Sequence, residues 1–247
     1  MNASVSENPE KKVLTDVEFA ARVTTLSRAL QDSHVSARWN AARELARLGA
    51  GAVEALPALR EATQVKDQTS VLWARFALSR VVGDTAAHLP FFLQALKEKK
   101  QYFPGMAAAV LSEIGPEAAE AVDLLMKELS DDHPDNRWSA AWALGNIGDA
   151  ACVATPCLTQ TLADYDEKVR WYAAWALSRI AVPTPGVVPA LIQALDDMDD
   201  DVRGYAAIAL GRLGRYASQA ENALTLLLED ENPAIHAAAS AALHEIA

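Results

Sequence analysis

Apolar positions return along this chain with a period of 33 residues. Leu45, Leu78, Leu111, Leu144, Leu177, Leu210 and Leu243 are evenly spaced. Four residues before each stands an alanine: Ala41, Ala74, Ala107, Ala140, Ala173, Ala206 and Ala239. Three residues after each stands Leu, Val or Ile: Leu48, Val81, Ile114, Ile147, Ile180, Leu213 and Ile246. Offsets of four and seven lie on one helix face. A fixed period of this length predicts a solenoid, in which each unit buries its apolar face only against its neighbours.

Residues 149–181 illustrate one unit. Asp149 to Asp164 reads as a first helix with Pro156 inside it, Tyr165 to Lys168 as a turn, and Val169 to Ile180 as a second helix. Val169, Ala173, Ala176, Leu177 and Ile180 form the stripe. It returns as Val202, Ala206, Ala209, Leu210 and Leu213. The alanines allow close approach of a paired helix, and the leucine fills the seam. Pro57, Pro90, Pro156 and Pro189 recur in first helices, where an internal proline is expected to bend the axis. Asp32, Asp131, Asp164, Asp197 and Asp230 recur in the turns, and Arg38, Arg137, Arg170 and Arg203 follow the first four by six. The aspartate suits bonding to the backbone at the next helix start. The arginine can meet that carboxylate or the one in the adjacent repeat. This predicts a structural Asp–Arg ladder, missing its arginine in repeats two and three, where Val71 and Phe103-Pro104-Gly105 stand.

The expected architecture is all-α: a right-handed solenoid of seven helix pairs over residues 17–247, with repeats ending near 49, 82, 115, 148, 181, 214 and 247. Residues 1–16 read as a flexible polar tail without the apolar core of a signal peptide. Elsewhere proline and charge interrupt every apolar run before it reaches a membrane span, which points to the cytoplasm.

Three segments carry a family resemblance. They are Asp131…Asn136-Arg137 with Ala143-Leu144-Gly145-Asn146-Ile147-Gly148, Asp164…Val169-Arg170 with Ala176-Leu177-Ser178-Arg179-Ile180, and Asp197…Val202-Arg203 with Ala209-Leu210-Gly211-Arg212-Leu213-Gly214. This pattern resembles HEAT repeats, in particular the short type of phycobilisome lyase subunits. The resemblance implies that second helices line a concave face where partners bind. Similar proteins include scaffolds, adaptors, chromophore lyase subunits and a few enzymes, so the fold does not select a function.

The second helices also carry residues the apolar stripe does not use. Trp138, Trp142 and Asn146 form one row, and Trp171, Trp175 and Arg179 the next, with Gly204, Ile208 and Arg212 following. Tyr172 and Tyr205 lie one step along. All six tryptophans fall on second helices, and Trp138, Trp142, Trp171 and Trp175 are expected to form a two-by-two block if repeats stack about 10 Å apart. Such a block reads either as a binding anchor or as rings packed on one another to stiffen the solenoid; the two roles are compatible.

Charge sharpens the picture. The formal net charge is −11, which argues against general nucleic-acid binding. The arginines nonetheless concentrate on second helices and the acids on first helices and turns. The acidic run Asp196 to Asp201 lacks the loop glycine and closing glutamate of a calcium loop. Cys152 and Cys157 have helical spacing that points them apart, and the five histidines are scattered. No catalytic, metal-ligating or cofactor-binding residue is assigned.

The leading expectation is a non-catalytic scaffold or adaptor. It would bind a protein or peptide with acidic and apolar residues through Trp138, Trp142, Trp171, Tyr172, Trp175, Arg179, Tyr205 and Arg212. One alternative is a bilin-lyase-like subunit whose tetrapyrrole propionates meet Arg179 or Arg212. Another is a helical-repeat nucleic-acid-binding protein or enzyme.

Overall fold

Five of the second helices in this chain stop at glycines. Gly49, Gly83, Gly115, Gly148 and Gly214 all adopt positive φ, a backbone that costs little without a Cβ. Between these stops the computed structural model, which describes residues 15–98 and 103–247, is helical, with no strand among the described residues. The chain divides into two compact units, Met1–Asp84 and Thr85–Ala247.

In the first unit α1 (Asp16–Ala29) packs on α2 (Val35–Leu48), α3 (Leu56–Ala62) packs on α4 (Gln68–Val82), and α2 lies against α4. In the second unit the first helices are α5 (Thr85–Lys97), α7 (Val122–Glu128), α9 (Thr155–Thr161), α11 (Val187–Ala194) and α13 (Glu221–Leu226). The second helices are α6 (Phe103–Ile114), α8 (Pro134–Ile147), α10 (Glu167–Ile180), α12 (Asp200–Leu213) and α14 (Pro233–Ile246). Each first helix packs on the second helix after it, and the second helices pack in sequence, α6 to α14. This is the all-α solenoid arrangement expected of the 33-residue register.

The register alanines are all buried, as are Leu45, Leu111, Leu144, Leu177 and Leu210. Leu78 and Leu243 are only half-buried. In α4 the buried side includes Leu72, Trp73 and Phe76 instead, and α14 has only α12 beside it among second helices.

Two local expectations are corrected. Residues 149–164 are not one helix: a 3-10 segment, Gly148–Ala154, precedes α9. Pro57 and Pro156 lie in the first turns of α3 and α9, where the missing N–H has no intrahelical acceptor anyway. They start helices rather than bend them, as does Pro189, the third residue of α11; of these four prolines Pro90 alone lies past the first turn of its helix. The tail boundary also moves. Thr15 caps α1 through a reciprocal bond with Glu18, so Asp16 is already helical; residues 1–14 lie outside the described residues.

The ladder forms, with a geometry more specific than its spacing. Arg137 donates Nη1 to the Asp131 carbonyl oxygen at 3.0 Å. Its Nε and Nη2 grip both oxygens of Asp164 in the next repeat at 2.7 and 2.8 Å. Arg170 repeats this on Asp164 and Asp197. Arg203 holds the Asp197 carbonyl and the Asp230 carboxylate. The ladder aspartate is not itself the cap. It accepts from the backbone N–H two residues on, as Asp164 does from Asp166 at 2.9 Å. Asp166 is the N-cap residue, and it accepts from Val169. In the first unit Arg38 spans the Asp32 carbonyl and the Asp67 carboxylate. Where repeat three lacks an arginine, Asn136 substitutes, donating to Asp131 and accepting from the Gly105 N–H at 2.8 Å.

Candidate functional site

α8, α10 and α12 lie side by side, so residues 33 apart stand in equivalent places. The equivalent sets 138/171/204, 142/175/208 and 146/179/212 read Trp/Trp/Gly, Trp/Trp/Ile and Asn/Arg/Arg. Rings spaced four apart on one helix share a face, and the helices on either side of the α8–α10 seam both carry such a pair.

Five rings meet at this seam, and Tyr172 is at their centre. Its ring stacks on Trp138 at 5.2 Å between centroids and lies 4.6 Å from Trp171. Trp142 and Trp175 are each 6.3 Å from it, the latter edge-on. Trp138 and Trp142 are 6.4 Å apart. These are the offset and edge-to-face separations aromatic quadrupoles favour. The expected four-indole block is thus a five-ring wall, with the residue that spacing put at its margin as its hub. All five rings are half-buried: each is supported from below and open on part of its surface.

The backbone under the wall is cut to fit. A Cβ at Gly145 would collide with the Trp175 ring, so the indole lies against α8 where only glycine leaves room. The wall also carries cations. Lys168 Nζ sits 3.5 Å from the Trp138 centroid and the Arg179 guanidinium carbon 5.1 Å from that of Trp175, both within cation–π range. Asp135 accepts from Trp138 Nε1 at 2.9 Å. At the equivalent place on α10 the residue three before Trp171 is Lys168, which cannot accept, and Trp171 Nε1 is buried without an acceptor. Lys168 was not among the expected site residues. Its signal in the sequence was a lysine at 168 where Asp135 and Asp201 stand in register.

The two site arginines are partly committed to the scaffold. Arg179 donates Nε to the Gly145 carbonyl at 2.8 Å. Arg212 donates to the Ala181 carbonyl at 3.3 Å and pairs with the exposed Asp149 at 2.6 Å. Gly145 and Ala181 lie at the ends of α8 and α10, where backbone carbonyls lack helical partners. Tyr205 is half-buried but outside the ring cluster. Burial first, and Asp201 second, push its phenol pKa up; burial and then Tyr205 do the same to Tyr172.

Past Tyr205 the wall gives way to small side chains. Between α12 and α14 two shallow grooves of about 220 and 330 Å³ share Ile208 and Ala238, floored by residues such as Gly204, Gly211 and Ala242. In the first unit, by contrast, Trp73 is core. It is 3% exposed, 5.9 Å from Trp39, with Arg43 over its ring. The expectation that all six tryptophans avoid the packed side fails there, because α4 presents residues 72, 73 and 76 inward. Cys152 and Cys157 are free, half-buried thiols. Among the described residues no His, Cys, Asp and Glu group has metal-binding geometry, and no helix is long and apolar enough to cross a membrane.

Comparison with known proteins agrees with this fold. The family described as HEAT repeats matches residues 89–178 and 188–247, and the PBS lyase HEAT-like repeat matches 169–197. No curated protein matches the chain. Similar solved structures include two engineered proteins of the Northeast Structural Genomics Consortium. Both are 24% identical over 91% of this chain, with 96% and 68% of their own lengths covered and TM-scores of 0.60 and 0.62. A designed armadillo repeat protein in complex with the peptide (KR)4 is 21% identical, with 91% of this chain and 99% of that one covered, at a TM-score of 0.60. Likeness at this identity speaks for the fold alone. The family match spans more than half of the sequence, and the chain belongs to the HEAT-repeat family.

Proposed function

We propose that this protein is a non-catalytic interaction scaffold that holds a segment of a partner protein against the ring wall of α8 and α10 and the adjoining face of α12. The observation that carries this reading is the five-ring cluster around Tyr172. It is interlocked and half-exposed, so its rings lose little freedom when covered, and rigid aromatic anchors of this kind dominate interfaces. The small-residue grooves beyond Tyr205 extend the face and leave room for a chain to run on. One structural neighbour is a designed repeat protein in complex with a peptide, which is in keeping with such a use of the fold. The contacts of Arg212 change what a partner meets: its Nε is held by the Ala181 carbonyl and its Nη2 by Asp149. Arg179, held through Nε, still offers its terminal nitrogens.

A bilin-lyase-like role is the second reading, favoured by the PBS lyase repeat match over 169–197, which includes Trp171, Tyr172, Trp175 and Arg179. The engagement of Arg212 by Asp149 weighs against two free guanidinium groups for propionates. Visible absorbance of the protein after mixing with a bilin separates the two readings.

Capture of partners from the source cell, with wild type and the Trp142→Ala/Trp175→Ala double variant compared, tests the scaffold reading. The variant is expected to lose about 2 kcal/mol or more of affinity for any specifically retained partner. Undiminished capture together with unchanged tryptophan emission on binding would place the working surface elsewhere.

A further inference from the structure

Two faces of the ring wall already carry cations from this chain, Lys168 on Trp138 and Arg179 on Trp175. The charges along the wall's edges nonetheless lean the other way. At the starts of α8, α10 and α12 stand Asp135, Glu167 and Asp201, beside Lys168 and the ladder arginines Arg137, Arg170 and Arg203, whose guanidinium groups are held by Asp164, Asp197 and Asp230. At the far edge Asp149 neutralises Arg212 at 2.6 Å.

The contact at Trp138 places an ammonium group of this chain on an indole face. Lys168 Nζ lies 3.5 Å above the centroid of the indole, and Asp135 polarises the same indole through its N–H at 2.9 Å. A π face next to a carboxylate is a site for an ammonium or guanidinium group. In register with Lys168 are Asp135 on α8 and Asp201 on α12, so the lysine stands between two acidic positions. It brings its own cation to a seat that a partner's cation fits equally well.

Resting on the scaffold reading above, we propose that the partner of this face is a basic segment, with lysine or arginine side chains on the indole faces and its remaining charge facing the acidic edges. Lys168 occupies one of those positions in cis and competes with the partner for Trp138. The charge complementarity is with a cationic peptide, and the net charge of −11 acts in the same direction at long range.

The test is a titration of the full chain with an eight-residue peptide alternating lysine and arginine, followed by tryptophan fluorescence. Its glutamate/aspartate counterpart and an uncharged peptide of the same length serve as comparisons. The basic peptide is expected to bind best, with affinity that falls as salt rises. Lys168→Ala should tighten binding about two- to fivefold, the worth of one exposed cation–π contact. Lys127→Ala makes the same charge change on α7 and should alter affinity less than about twofold. Looser or unchanged binding by Lys168→Ala, or equal effects of the two lysine variants, overturns the competition. Preference for the acidic or uncharged peptide overturns the basic partner while leaving the ring wall as the binding face. Binding of the basic peptide that survives Trp142→Ala/Trp175→Ala overturns this inference and the scaffold reading's choice of surface together.

Discussion

Tyr172 touches all four indoles of the wall, so the position of each ring depends on the others. Because all five rings are only half-buried, these residues should nonetheless be less costly to lose singly than the leucines beneath them. Leu144 and Leu177 are fully buried at the seams, and truncating either to alanine should cost about 2–5 kcal/mol. Trp171→Ala removes a half-buried ring whose N–H has no acceptor and should cost clearly less in urea melts of the three variants. If Trp171→Ala is the most damaging, the wall is core rather than binding surface. Gly145 is the complementary case. Gly145→Ala puts a methyl group where the Trp175 ring lies, and overpacking of this kind typically costs about 1–3 kcal/mol. The displaced indole should also change tryptophan emission. A melt and spectrum like wild type would mean that Trp175 moves aside without cost.

At the scale of helices, the ladder ties one repeat to the next. Each arginine uses the planar fork of its guanidinium to hold a carbonyl in its own turn and a carboxylate in the following one, which a lysine cannot do. The Arg137–Asp164 pair is nearly buried, with side-chain exposures of 6% and 11%. Hydrogen bonds to Asp164 hold the guanidinium pKa above its ordinary value, against the opposing effect of burial. At Asp197 burial pushes the carboxyl pKa up, but the Arg170 hydrogen bond and the Asp199 N–H outweigh it, leaving the group below the ordinary aspartate range. Asp67 behaves alike, burial being outweighed by bonds from Ser70, Arg38 and Thr69. A depressed carboxylate stabilises the fold above the pH at which the unfolded chain takes up protons, about 4. That stability is lost as the pH falls through the folded-state values. Acid titrations of thermal stability should therefore show a decline beginning near pH 4 that is shallower in Asp197→Asn, which is already weaker at neutral pH. An Asp197→Asn profile parallel to wild type would mean that the ladder carboxylate does not couple to folding.

For the whole molecule, the unbroken 33-residue register made the helical solenoid legible without any structure, because burial on one stripe of every second helix needs the same small and large residues in the same places. The turn aspartates and ladder arginines were legible for a similar reason: a repeated backbone turn leaves the same groups to satisfy each time. The face bearing the tryptophans could be named from their spacing, since side chains four apart on a helix must share a side. Spacing along one helix says nothing of how rings on two helices meet across a seam, and that decided the rest. Tyr172 became the hub, Trp175 settled on Gly145, Lys168 came to lie on Trp138, and Arg212 found Asp149, 63 residues away. Trp73 turned inward for the same reason: α4 rotates to bury Leu72 and Phe76, and the helix axis carries its neighbour with it. Periodicity within the chain determined the elements and their faces; contacts between elements, which depend on distances no single-helix pattern encodes, determined which of those side chains are anchors, which are braces and which are core.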